Sequence, residues 1–176
     1  MAKLNLASQI KQALTEVRVF KTHPLKDASL EDKMNYLKVL SFTILADDKI
    51  TTEEKEYFSI IVRTLVNDDM LQELLDYAAN PDFSELTAIT STLAKNVNYK
   101  TCLLLDATML AYADGDFSSD EDELIRQLRE IIGLDHSKFN KAYDVAKKIA
   151  QGTTKGALTP WLMEIPKGLG SHILEY

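Results

Sequence analysis

Residues 34–66 and 101–133 superimpose at a constant offset of 67 positions, which lays Leu37 over Leu104, Ala46 over Ala113, Asp47 over Asp114 and Glu54 over Glu121. When the offset widens to 68, Leu71, Leu75 and Ala78 fall over Phe139, Tyr143 and Ala146. A block repeated at this period is one supersecondary unit whose apolar stripe is covered only by a neighbour. The chain is therefore constrained to pack two copies of one unit around a shared core.

The period inside each copy is helical. Leu30, Met34, Leu37 and Ile44 share one face, a further helix is predicted from Thr52 to Val66, and a shorter one around "DMLQELLDYAA" stops at Asn80-Pro81. Another begins near Ser84 with Leu86, Ile89 and Leu93 inward, and strand alternation is nearly absent. The pattern predicts an all-α fold: seven to eight helices in an internally duplicated bundle with pseudo-two-fold symmetry. Three segments follow. Residues 1–28 carry Leu6, Ile10, Leu14 and Val17 on one face of an N-terminal amphipathic helix expected to pack on the body. Residues 29–151 form the duplicated domain, and residues 152–176 abandon the helical period and read as an irregular tail.

Composition narrows the class. Hydrophobic residues at 45% and charged residues at 27% are globular proportions. The single cysteine, Cys102, rules out an internal disulfide, a four-cysteine zinc site and a CxxC redox pair, and fits a reducing cytoplasm. Apolar runs fall short of the roughly 18 to 20 residues that cross a bilayer, so no transmembrane segment is expected. Residues 1–28 hold five Lys/Arg against Glu16 and Asp27, whereas residues 29–151 hold 13 basic and 23 acidic side chains, a sum of −10. So acidic a body repels a phosphate backbone, which excludes nucleic acid and favours a cation or a basic surface.

Acidic residues concentrate where the two units turn. Thr51 with Glu54, and Ser118 with Glu121, have capping-box spacing, and acids in a first helical turn complement the helix dipole. Ile50 and Phe117, just before each cap, are placed to act as hydrophobic staples. Capping leaves Asp47 and Asp114 unexplained, because each ends a preceding helix, where the dipole disfavours negative charge. Convergent oxygens are what hard cations need, so Asp47, Glu54, Asp114, Asp116 and Glu121 are the candidate ligands, with calcium or magnesium the favoured divalent cation. The loop is not an EF-hand: counted from Asp114, Ser119 occupies the glycine position and Ile125 the bidentate glutamate position. Asp106 shares a helix face with Asp114 but lies about 12 Å away by helix rise, and so could join that site only through a neighbouring helix.

"ADGDFSSDE" at 113–121 resembles the repeated signature of the tellurite-resistance protein B family, the TerB-like domains: alanine, aspartate, glycine, a polar and an aliphatic residue, three polar positions and a glutamate. "ADDKITTEE" at 46–54 is a second copy with Asp48 where glycine is usual, and an L-residue there resists positive φ. The resemblance covers about 29–151. It implies an all-helical duplicated fold, metal ions held by surface acids at Asp47 and Glu54 and at Asp114 and Glu121, and no catalytic activity. It also implies a role in tellurite, chemical-stress, phage or colicin resistance, alongside protein partners that include membrane-associated ones.

Other residues point elsewhere. His23, His136 and His172 are far apart, with no i, i+4 pairing to one another or to Cys102, so a transition-metal triad is not expected; His136 reads as first-turn surface and Cys102 as a small core residue. No GxSxG, P-loop or dinucleotide fingerprint is present, so the chain is read as no enzyme; a carboxylate-pair hydrolase would need two acids in one cleft with separated pKa values. Lys3, Lys11, Arg18 and Lys21 on the N-terminal segment suit either an anionic membrane surface or the acidic body, and packing on the body is favoured. Trp161, Leu162, Met163 and Ile165 can fold back on the core or dock a partner. The leading function is a cytoplasmic, non-enzymatic stress or defence protein that binds divalent ions through its acidic loops and scaffolds partners. The alternative is a metal-independent module whose acidic face docks a basic partner.

Overall fold

The computed structural model describes residues 19–44, 50–150 and 163–164. Among them are seven α-helices: α1 (Leu30–Thr43), α2 (Thr52–Leu65), α3 (Leu71–Ala79), α4 (Phe83–Leu93), α5 (Val97–Ala111), α6 (Ser119–Ile131) and α7 (His136–Ala150). A short 3-10 turn, Asp68–Met70, leads into α3. The all-α expectation holds.

Local chemistry sets the helix starts. Ser29 Oγ accepts from the Asp32 amide at 3.1 Å, and Asp82 and Asn96 accept from two amides each at the heads of α4 and α5. Thr51 and Ser118 both complete capping boxes, and their backbones are alike, φ −72°, ψ 159° and φ −74°, ψ 163°. The staple expected at Phe117 does not form, because the facing first-turn residue is the polar Asp122. Phe117 instead lies flat on Tyr112, centroids 4.3 Å apart, and meets Tyr143 edge-on.

Helix α5 is buried on nearly every side, from Cys102 to Ala111 with only Leu105 partly exposed, as expected of a helix at the centre of a bundle. It packs on α1, α2, α6 and α7, while α1 packs on α2, α3, α4, α5 and α6. Which helices touch is thus the same in both halves for α1–α3 and α5–α7 and for α1–α2 and α5–α6. Tyr36, Tyr57, Phe20, Phe58 and Phe139 are the largest fully buried side chains, and one contiguous core joins both halves.

Two short strands close one flank: β1 (Val19–Phe20) pairs antiparallel with β2 (Met163–Glu164), Val19 opposite Glu164, and β1 packs on α2. The Phe20 amide also donates to Thr64 Oγ1 at 2.9 Å. Of the segment 1–28 expected as an amphipathic helix, residues 1–18 lie outside the described residues, and 19–28 are strand and turns. Of the tail 152–176, the described part is β2, and Trp161, Leu162 and Ile165 lie outside it.

Candidate functional site

The acidic corner is built where α5 hands the chain to α6, with Glu54 of α2 within its electrostatic reach. After α5, Gly115 adopts φ +90°, a conformation that side-chain-bearing L-residues rarely take, so the glycine of the second motif copy is required by the turn. Asp114 Oδ1 accepts from the Asp116 amide at 2.9 Å, and Asp116 Oδ1 accepts from the Phe117 amide at 2.9 Å. These Asx-type bonds supply part of the compensation that Asp114 needs at a helix C-terminus. Ser118 N–H donates to Glu121 Oε2 at 2.6 Å, and on the other unit Thr51 N–H donates to Glu54 Oε2 at 2.7 Å, joined by Thr51 Oγ1–H at 2.8 Å.

Glu54, near the start of α2, lies in the negative field of the α5–α6 turn. Burial pushes the Glu54 carboxyl above its ordinary range; the Thr51 hydrogen bonds oppose this, and the negative fields of Glu121 and Asp114 add to it. Glu54 is 5% exposed, while Asp114 and Asp116 are exposed and Glu121 is half-buried. Burial likewise raises the Tyr112 hydroxyl to about 12, with Asp122 and Glu121 adding to the effect. Of the five candidate ligands, the structure brings Glu54, Glu121 and Asp114 into one field and turns Asp116 onto its own loop; Asp47 lies outside the described residues.

A second polar group lies in the core, where sequence reasoning expected none. His23, in the turn after β1, places Nε2 2.9 Å from Asp106 Oδ2, and Tyr36 Oη–H donates to the same oxygen at 2.6 Å. Cys102 Sγ is 3.2 Å from Tyr36 Oη, 3.6 Å from His23 Nε2 and 3.9 Å from Asp106 Oδ2. Tyr36, His23, Cys102 and Asp106 are each at most 3% exposed. The Leu25 amide donates to His23 Nδ1 at 3.2 Å, so Nδ1 bears no hydrogen and Nε2 carries the proton offered to Asp106. Burial holds the Cys102 thiol well above its usual range and Asp106 adds to this, so the group is not a poised nucleophile.

Sequence spacing pairs no histidine with Cys102, yet the fold brings His23 to it from 79 residues away. Half of the signal was in the sequence. Cys102 and Asp106 stand at i, i+4, and Asp106 is the one carboxylate in "TCLLLDATML". Asp106 does not reach toward the acidic corner; it turns inward to α1 and to the turn after β1.

No helix among the described residues is long and apolar enough to cross a membrane. No curated protein and no solved structure matched the chain. A family model described as "Tellurite resistance protein TerB" matches residues 23–144, well over half of the chain and inclusive of both acidic turns, every helix from α1 to α6 and most of α7. With an all-helical body and two like-capped acidic turns, the chain belongs to the TerB family.

Proposed function

We propose that this TerB-family chain is a non-enzymatic cytoplasmic protein of stress or defence responses, tellurite resistance among them, that binds a divalent cation at its acidic corner and scaffolds protein partners. The observation behind this reading is that Glu54, whose carboxyl is raised chiefly by burial, also feels the negative fields of Glu121 and Asp114. Like charges gathered on one surface are destabilising unless a cation or a basic partner meets them, and carboxylate oxygens match calcium or magnesium. Asp47, Asp114, Asp116, Glu54 and Glu121 are the proposed ligands. The same reading takes residues 34–66 and 101–133 as two copies of one ancestral block, each supplying one side of the corner.

Calorimetric titration of the full chain with calcium, magnesium, manganese and zinc tests the cation. Saturable heat that is lost in Asp114→Ala supports it, and no ion-dependent heat or melting shift rejects it. A second reading draws on the capping bonds, which already engage Oε2 of Glu54 and Glu121. Here the corner docks a basic partner without metal, and capture of that partner falls steeply with salt while ignoring chelator.

A further inference from the structure

We propose that His23, Cys102 and Asp106 form a second, buried ion site, distinct from the acidic corner, that takes a borderline-soft divalent metal such as zinc or cobalt through Nε2, Sγ and Oδ2. The three atoms lie within 4.8 Å of one another and come from two elements: the turn after β1 and one face of α5. A tetrahedral zinc with Zn–S of about 2.3 Å and Zn–N of about 2.0 Å has ligand-to-ligand edges of roughly 3.3–3.6 Å. The observed Sγ–Nε2 and Sγ–Oδ2 separations of 3.6 and 3.9 Å are already near this. The Nε2–Oδ2 edge of 2.9 Å is that of a hydrogen bond and widens once the shared proton leaves.

Two further observations favour a ligand-binding role over a packing role. Val39 occupies the place in α1 that matches Asp106 at the 67-residue offset, and it is buried, so that position in the unit accepts an apolar side chain. Tyr57 is fully buried and its hydroxyl finds no hydrogen-bond partner, an unsatisfied polar atom in the same core. Tyr36 holds Asp106 by its hydroxyl, the kind of outer hydrogen bond that fixes a metal-binding carboxylate.

The bookkeeping balances. On loading, Cys102 releases its proton to solvent and His23 moves its proton from Nε2 to Nδ1, which obliges the Leu25 amide to turn away. A thiolate and a carboxylate then neutralise the divalent charge, so the loaded cluster is neutral in its apolar surroundings.

The test uses cobalt(II) with the full chain, reduced, stripped with chelator, and refolded with and without one equivalent of the ion so that burial cannot block entry. The expected result is one bound cobalt with a thiolate-to-cobalt charge-transfer band on a natively folded chain. Cys102 is the only cysteine, so the band has one source. Cys102→Ser abolishes the band, and His23→Gln weakens binding by more than about tenfold. Nitrogen-detected NMR shows the His23 proton on Nδ1 and a displaced Leu25 amide in the loaded form. Absence of the band in the natively refolded wild type overturns the proposal, as does equal affinity in His23→Gln, and the cluster is then a hydrogen-bonded fastener only. Because calcium and magnesium bind without sulfur, this outcome is read independently of the acidic corner.

Discussion

Replacing Asp106 by alanine, with chelator present, isolates what the buried cluster does for the fold. One oxygen, Oδ2, accepts from Tyr36 Oη at 2.6 Å and from His23 Nε2 at 2.9 Å, and its residue is 0% exposed. Truncation leaves both donors sealed in the core without that acceptor, at about 1–3 kcal/mol each. Summed over the two donors, the loss is about 3–5 kcal/mol. A domain of this class has only about 5–15 kcal/mol to lose, and at roughly 2–4 °C per kcal/mol the melting point drops by about 10 °C. Tyr36→Phe alone removes one donor and costs about 1 kcal/mol, because Asp106 keeps His23. In the double variant the tyrosine hydroxyl that Asp106→Ala leaves with only the weak acceptor Cys102 Sγ no longer exists, so the combined loss is smaller than the sum by about 1 kcal/mol. Urea unfolding followed by far-ultraviolet circular dichroism measures all four proteins. Strict additivity, or an Asp106→Ala loss under about 1 kcal/mol, refutes the view that the cluster is one connected network.

Three further outcomes follow from particular atoms. Gly115→Ala adds a Cβ that meets nothing within 4 Å, so its cost is conformational alone, about 1–2 kcal/mol, with Gly115→Asn losing less; a loss of more than about 3 kcal/mol in denaturant titration means a clash instead. Tyr57→Phe deletes a buried hydroxyl that lacks a partner and leaves stability equal or raised by about 1 kcal/mol; a marked drop in melting point exposes a bond to that hydroxyl. Glu54 has its carboxyl raised by folding, so its protonated form is favoured in the folded state, and the associated stability is lost as pH rises through the raised value. Melting points of wild type and Glu54→Gln, compared from pH 7 down toward the ordinary glutamate value of 4.5, shift in wild type's favour on acidification; a constant gap contradicts a Glu54 carboxyl raised by folding.

The parts of the molecule that sequence discloses are those whose partners lie within one helical turn. Thr51 and Ser118 cap as their i, i+3 spacing requires, and a glycine at 115 suits the left-handed turn that it makes. Phe117 departs from expectation because its ring had a better partner in Tyr112, and ring stacking depends on where the backbone turns rather than on spacing. The β1–β2 pair escaped notice for a similar reason: two-residue strands are too short to alternate, and Phe20 meets Met163 across most of the chain. Asp106 shares a helix face with Asp114 about 12 Å off by helix rise, and spacing alone says nothing of what it meets. Its true partners, Tyr36 and His23, stand 70 and 83 residues away, and no local rule reaches them.

Helix α5 carries both polar features, the buried cluster in its middle and the acidic turn at its end, and the chemistry of their donors keeps the two apart. The corner offers carboxylate oxygens on an open surface, which suit hard ions that keep part of their water. The cluster offers imidazole, thiol and one carboxylate in a sealed core, a set that favours zinc or cobalt and discriminates against magnesium and calcium. Magnesium in excess should therefore compete for any heat arising at Asp114 and Glu121 while leaving a cobalt–thiolate band at Cys102 untouched. Were magnesium to erase that band, the ion would be reaching sulfur by way of the fold, and α5 would have to be moving as a unit between its two ends.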